Sequence, residues 1–250
     1  MLNSIKVRIA QGSQYIPDPR RASPTGLRGK PLIAQNECAS ACQACVNVCP
    51  TQAITLAPVQ IDLGRCVLCG ECAPVCPSRK LSFCNDYKLA CTTREGLLLS
   101  ASRPAPDPVM VSAALHKRFG RSLKLRSVSA GGCNGCELEV NALSNVNFDL
   151  GRYGIDIVAS PRHADALVLT GPITRNMTAA LQLCWDAMPE PKLVIAVGAC
   201  AISGGLFAGN ESIEREFLER FKPALYLPGC PTHPLTIVCG LLDLLGIPSS

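Results

Sequence analysis

The sequence predicts an α/β protein whose second half is a doubly wound parallel sheet, preceded by a small cysteine-bearing α+β domain. Three observations carry this. From residue 123 onward, short apolar runs alternate with helix-like segments. Before residue 78, eight of the sixteen cysteines fall into two runs, each ending in Cys-Pro. Between these regions lies "SRPAPDPVMV", residues 102–111, whose three prolines cannot sit inside a helix or strand.

Taken in order, residues 1–36 are rich in proline, glycine and arginine ("YIPDPRRASPTGLRGKP") and read as an extended N-terminal arm. Residues 37–101 form the cysteine-run domain. Within it "CQACVNVCP" recurs as "CGECAPVCP" 27 residues later, and such a repeat builds a pseudo-symmetric unit. Residues 102–121 are a linker and basic segment, and 122–250 are the α/β domain. Expected strands are 123–129, 156–159, 166–170, 193–197 and 224–227, and expected helices are 137–144, 177–188, 212–221 and 234–245. Strands alternating with helices argue for a parallel sheet, whose sites gather beyond the carboxyl ends of its strands. Cys133, Cys200 and Cys230 each follow an expected strand, so three distant cysteines converge on one edge.

Composition narrows the function. Aromatics at 4% disfavour stacked nucleic-acid bases, and there is no recognition helix, so no nucleic-acid partner is expected. "MLNSIKVRIAQGSQY" lacks the apolar core of a secretory signal. The uncharged stretch 193–209 is broken by four glycines and reads as a buried strand and loop, not a membrane span. Sixteen cysteines in a 250-residue chain with 48% hydrophobic residues are then expected to stay reduced and bind metal in the cytoplasm. The formal charge of +5 offsets about −6 from twelve thiolates around three cores of roughly +2 each.

Cys66, Cys69, Cys72 and Cys76-Pro77 have the bacterial ferredoxin spacing C-x2-C-x2-C-x3-C-P. Cys38, Cys42, Cys45 and Cys49-Pro50 repeat it with one extra residue between the first two cysteines. In this pattern three thiolates wrap one cluster and the fourth crosses to the other. One 4Fe–4S cluster is expected on Cys38, Cys42, Cys45 and Cys76, the other on Cys66, Cys69, Cys72 and Cys49. Two zinc knuckles are the competing reading, but they need neither the Cys-Pro ending nor the crossed repeat. Cys133, Cys136, Cys200 and Cys230-Pro231 remain as a set. A redox dithiol would use Cys133 and Cys136 alone and leaves "GACAISGG" and "PGCPTHP" unexplained. Four-cysteine metal ligation accounts for both.

"GGCNGCELE", "GACAISGG" and "PGCPTHP" resemble the small subunit of membrane-bound, energy-converting nickel–iron hydrogenases and the related 20 kDa subunit of respiratory complex I. "RGKP" and "FCNDYKLA" around the cysteine runs resemble the two-cluster ferredoxin subunit of formate hydrogenlyases and complex I. The chain thus resembles a fusion of two normally separate subunits. The resemblance implies a flavodoxin-like sheet domain, a third, proximal 4Fe–4S cluster on Cys133, Cys136, Cys200 and Cys230, and a role in electron transfer. It also implies partners: a nickel–iron large subunit, membrane-embedded subunits on the cytoplasmic face of the inner membrane, and a donor or acceptor such as a formate dehydrogenase or ferredoxin. The complex I subunit has adjacent cysteines at the first position, whereas Asn134-Gly135 separates them here, which favours hydrogenase over a complex I-like dehydrogenase module. A second Cys-x-x-Cys that would cradle nickel and iron is lacking, so chemistry on hydrogen is expected on the partner.

Several residues carry two readings. Glu137 and Glu139 can complement a helix N-terminus, with Asn134 and Glu137 at capping-box spacing. Glu139 also matches a glutamate of the resembling subunits, which allows a proton path. "HKRFGRSLKLR", residues 116–126, is a solvated face or a surface for an acidic partner or anionic lipid. His116, His163 and His233 lack metal-ligand spacing, and His233 can hydrogen-bond near a cluster or start a helix. Cys84, Cys91, Cys184 and Cys239 are expected as buried small hydrophobes.

Overall fold

The computed structural model describes residues 2–12, 15–110, 113–120 and 122–248. Its first element is an exposed helix, α1 (Leu2–Gln11), where the sequence suggested an extended arm. The prolines that dictate extension begin only at Pro17, and the ten residues before Gly12 contain no helix breaker.

β1 (Pro31–Ile33) follows, then α2 (Ala44–Val48), β2 (Ile54–Thr55), β3 (Gln60–Asp62), β4 (Leu81–Phe83) and β5 (Leu98–Ser100). β1 pairs antiparallel with β4, and β2, β3 and β5 form a second antiparallel sheet. The 27-residue repeat is visible in the backbone itself. Ala41 and Leu68 both take φ near +50°, as do Gln52 and Arg79, and each pair is one repeat apart. The extra residue of the first run therefore lies before Ala41, and the two units are back in register from there. Cys45 and Cys72, also one repeat apart, are both buried in the small core between the sheets with Ile54, Ile61 and Leu81.

The second half contains α3 (Ala113–Phe119), β6 (Leu123–Ser129), α4 (Gly135–Ala142), β7 (Ile155–Ile157), β8 (Ala166–Thr170), α5 (Arg175–Asp186), β9 (Leu193–Val197), α6 (Gly198–Ser203), α7 (Glu216–Arg220), β10 (Leu225–Leu227) and α8 (Pro234–Leu244). The five strands pair in parallel in the order β10-β9-β8-β6-β7. Counted within the domain this is 2-1-3-4-5, the flavodoxin-like doubly wound order. Alternation along β8 sends Leu167 and Leu169 to one face and Ala166 and Val168 to the other. The second face is covered by α8, where Ile237, Val238, Leu241 and Leu242 are buried. Each fully buried leucine of this kind contributes about 1.5–3 kcal/mol of transfer free energy.

The segment after β9 differs from the expected loop. Residues 198–203 form a helical turn directly on the strand end, because Gly198 at φ +89° lets the chain turn from strand into helix within one residue. The expected helix 212–221 shortens to α7, since Ile213 bridges Thr174 instead. The proline-rich segment is not a free linker. Val109, Leu115 and Phe119 pack against the core under α8, and Arg103 pairs with Asp107. Leu63, Leu89, Cys91, Leu97 and Leu99 from the first half share one core cluster with Leu167, Leu169 and Trp185 from the second. A bridge between Cys91 and Tyr226 joins the halves at the β10 edge.

Candidate iron–sulfur site

Each cysteine's position follows from the elements. Cys45 sits on α2, Cys136 on α4 and Cys200 on α6, while Cys230 lies just beyond β10. Cys49, Cys66, Cys69 and Cys72 line one cavity closed by Ile61 and Phe83. The fourth cysteine of the first run thus meets three of the second run. Burial first, then Cys76, pushes the Cys45 thiol up, with Cys38 adding to it, so the last cysteine of the second run acts on one of the first. Burial pushes Cys66 up to about 12 and Cys72 up to about 11, with the neighbouring thiols of the same cavity adding to each. Backbone N–H groups donate to sulfur at matching repeat positions: Ala53 to Cys49 at 3.2 Å and Lys80 to Cys76 at 3.3 Å.

The third set converges from three strand ends. Burial, opposed by a hydrogen bond from Thr232, pushes Cys136 up to about 12, with Cys230 and Cys200 as the next neighbours. Burial, Cys230 and Cys133 push Cys200 up to about 11, against the Arg215 guanidinium. Cys133 and Cys230 face the surface. Backbone comes close at Gly198, where a Cβ would lie 2.6 Å from Cys136 Sγ.

These thiols are held where burial and mutual repulsion oppose their charged form, and a cationic iron core relieves both effects by binding thiolate. Together with the N–H donors to sulfur and the glycine cradle, the residues fit cluster ligation. Among the described residues, no three His, Cys, Asp or Glu side chains are grouped to hold a single metal ion. The sets are neighbours. Val67 and Leu68, from the Cys66–Cys72 loop, share a cleft with Cys230 and Pro231, and Cys45 acts on Cys72.

The weighed residues resolve differently from their spacing. Asn134 precedes α4 but makes no side-chain capping bond. Glu137 instead accepts a 2.7 Å hydrogen bond from Thr170 Oγ1 at the end of β8, and its other oxygen is buried without a partner. α4 starts two residues earlier than expected, which moves Glu139 past the first turn, and burial raises its carboxyl. His233 starts a helix, accepting from the Leu235 N–H at 3.1 Å. His116 bonds the Leu245 carbonyl from α3, while Lys117 and Arg118 of the basic segment are exposed and Arg121 lies outside the described residues. His163 ends a short 3-10 turn. Cys91 and Cys239 are buried as expected, but Cys84 and Cys184 are only half-buried. Sequence reasoning missed Arg215. Its spacing in "SIEREFLER" gives no signal, yet its guanidinium reaches the Cys200 carbonyl.

Comparison with known proteins agrees with this geometry. Residues 37–80 match the 4Fe-4S dicluster domain, and residues 133–244 match the family described as NADH ubiquinone oxidoreductase, 20 Kd subunit. Formate hydrogenlyase subunit 7 of Escherichia coli is 39% identical over 55% of this chain and 54% of its own length, so about half of that relative is spanned. Probable membrane-bound hydrogenase subunit mbhJ of Pyrococcus furiosus is 39% identical over 52% of this chain and 78% of its own length. An NADH-quinone oxidoreductase subunit of Citrifermentans bemidjiense is 40% identical over 44% of this chain and 64% of its own length. A parallel sheet with three cysteine-bearing strand ends, a repeated pair of cysteine runs ahead of it, and these matches lead to one conclusion: the chain belongs to the NADH ubiquinone oxidoreductase 20 kDa subunit family of oxidoreductase subunits and carries a 4Fe–4S dicluster domain.

Proposed function

We propose that this chain is the electron-transfer subunit of a multi-subunit nickel–iron hydrogenase, relaying electrons through three 4Fe–4S clusters. The observation that carries this is that Cys49, Cys66, Cys69 and Cys72 line one cavity, while Cys76 and Cys38 act on Cys45, and Cys230 and Cys200 act on Cys136. Cys38, Cys42, Cys45 and Cys76 hold one cluster, Cys49, Cys66, Cys69 and Cys72 the next, and Cys133, Cys136, Cys200 and Cys230 the third. Each cluster, when bound, takes up and releases single electrons. The middle set adjoins both others, which supports a relay in that order between a donor or acceptor, such as a formate dehydrogenase or ferredoxin, and a large subunit that carries the nickel–iron site.

Exposed apolar residues support docking of that large subunit at the third set. Leu138 follows Cys136 by two residues, and Leu206 and Phe207 follow Gly205, where a Cβ would lie 3.0 Å from Cys200 Sγ. The half-buried Glu139 beside them is the group proposed to carry protons. Among the described residues no helix is long and apolar enough to cross a membrane. Association with membrane-embedded subunits at the cytoplasmic face is part of the same proposal, supported by the membrane-bound hydrogenase relative.

Iron and labile sulfide analysis should return about twelve irons per chain, and about four or eight would refute the three-cluster count. Cys133→Ala should remove one spectral signature and leave the other two. A complex I-like dehydrogenase module is the second reading, favoured by the 40% identity to an NADH-quinone oxidoreductase subunit. Co-purification separates the two: a partner subunit that binds nickel establishes hydrogenase, and its absence from the intact complex favours the dehydrogenase.

A further inference from the structure

Each cysteine set has beside it a cation bonded to backbone carbonyls and, among the described residues, in ion-pair reach of no carboxylate. Lys80 donates to the Ala34 and Asn36 carbonyls ahead of Cys38. Arg28 donates to the Leu68 and Cys69 carbonyls, but its side chain is exposed. Arg215 is the most elaborately held. Its Nη1 donates to Cys200 O at 3.1 Å and Pro172 O at 3.4 Å, and its Nη2 to Ala201 O at 2.7 Å and Ile202 O at 2.8 Å.

These four carbonyls belong to the loop after β8 and to α6, the element that presents Cys200. A guanidinium stays charged at any physiological pH, and holding it away from water without an anion is costly. Glu219 and Arg94 act on it from farther off with opposite signs. The set containing Cys200 supplies the missing anion. Four thiolates around a core of roughly +2 leave a net charge near −2, and one more electron makes it more negative.

We propose that Arg215 is the positioning residue and fixed counter-charge of the third cysteine set, fixing Cys200 through α6 and favouring the form of the bound group that carries one electron more. This rests on the three-cluster reading above. Removing a nearby positive charge raises the free energy of the reduced form more than that of the oxidised form, so the midpoint potential of that group falls.

The test is a dithionite titration of the purified, cluster-loaded protein followed by electron paramagnetic resonance, with dithionite as the electron source. Arg215→Gln should move one of three signals to a more negative midpoint and leave the other two in place. The signal that moves should be the one lost in Cys133→Ala. Three signals at wild-type midpoints in Arg215→Gln overturn the inference and leave the three-cluster reading standing. Wild-type protein with about eight irons and two signals overturns that reading, and the inference with it. Where Arg215→Gln fails to load the third group, Arg215→Lys decides, because it keeps the charge without the fork geometry. Loading with a midpoint near the wild-type value supports the charge, and failure to load overturns its role.

Discussion

Gly198→Ala perturbs the third cysteine set without touching a cysteine. Gly198 has φ +89°, and placing an alanine in the left-handed region costs about 1–2 kcal/mol. The new Cβ would lie 2.6 Å from Cys136 Sγ, about 1 Å short of ordinary van der Waals separation. Cys136 Sγ can yield only by turning about its single side-chain torsion, away from the place where it faces Cys200 and Cys230, while Gly198 is fixed where α6 starts on the end of β9. Crowding of this sort costs about 1–3 kcal/mol more. The total of about 2–5 kcal/mol corresponds to a fall in melting temperature of ~5–15 °C for a chain of this size. Gly209→Ala is the control, because φ is +81° there but nothing lies within 4 Å of the new Cβ. It should lose only the backbone part, about 1–2 kcal/mol. Calorimetry of both variants, with the absorbance of the bound clusters recorded in parallel, measures the difference. Equal melting temperatures for the two variants, with full cluster absorbance in each, would refute the crowding of Cys136.

His233 must be neutral to accept the Leu235 N–H, and burial lowers its pKa below the ordinary 6.5. A depressed pKa gives stability that is present above about pH 6.5 and lost as the pH falls through the folded-state value. His233→Asn keeps an acceptor at the helix start but does not titrate. Thermal melts at pH 7.5 and pH 5 should therefore show an acid loss of about 1 kcal/mol in the wild type that is smaller in the variant; equal acid losses in both would dismiss His233 as its source. Thr236→Val removes the 2.7 Å hydrogen bond from α8 to the buried Tyr87 carbonyl, which joins the two halves of the chain. That carbonyl keeps its 2.9 Å bond from the Leu89 N–H, so the loss should cost about 0.5–1.5 kcal/mol, read as a lower urea midpoint at unchanged slope. An unchanged midpoint would mean the hydroxyl is dispensable to the junction.

The sequence by itself determined what local pattern can determine. β8, β9 and β10 announce themselves as apolar runs, because a strand buried on both faces has no polar alternation to blur it, whereas β6 alternates, with Lys124 and Arg126 following buried Leu123 and Leu125. The ferredoxin spacing and its 27-residue recurrence lead to the expectation that Cys49 and Cys76 cross, since three thiolates of one short run wrap the same face of a cubane. Tertiary structure decided the rest. α1 and α6 were not legible because short segments without a capping signal have no distinctive period, and α6 exists where Gly198 turns β9 into helix. Residues 102–110 have no helix or strand, as their prolines dictate, and only the fold shows that Val109 of this stretch packs partly buried beneath α8. Glu137 turned from capping to Thr170 because the strand order puts the end of β8 beside the start of α4. Arg215 lies fifteen residues from Cys200 on an unrelated loop. Its position against the α6 carbonyls arises only when β9 and the chain after β8 fold onto one sheet edge, and no spacing along the chain encodes that approach.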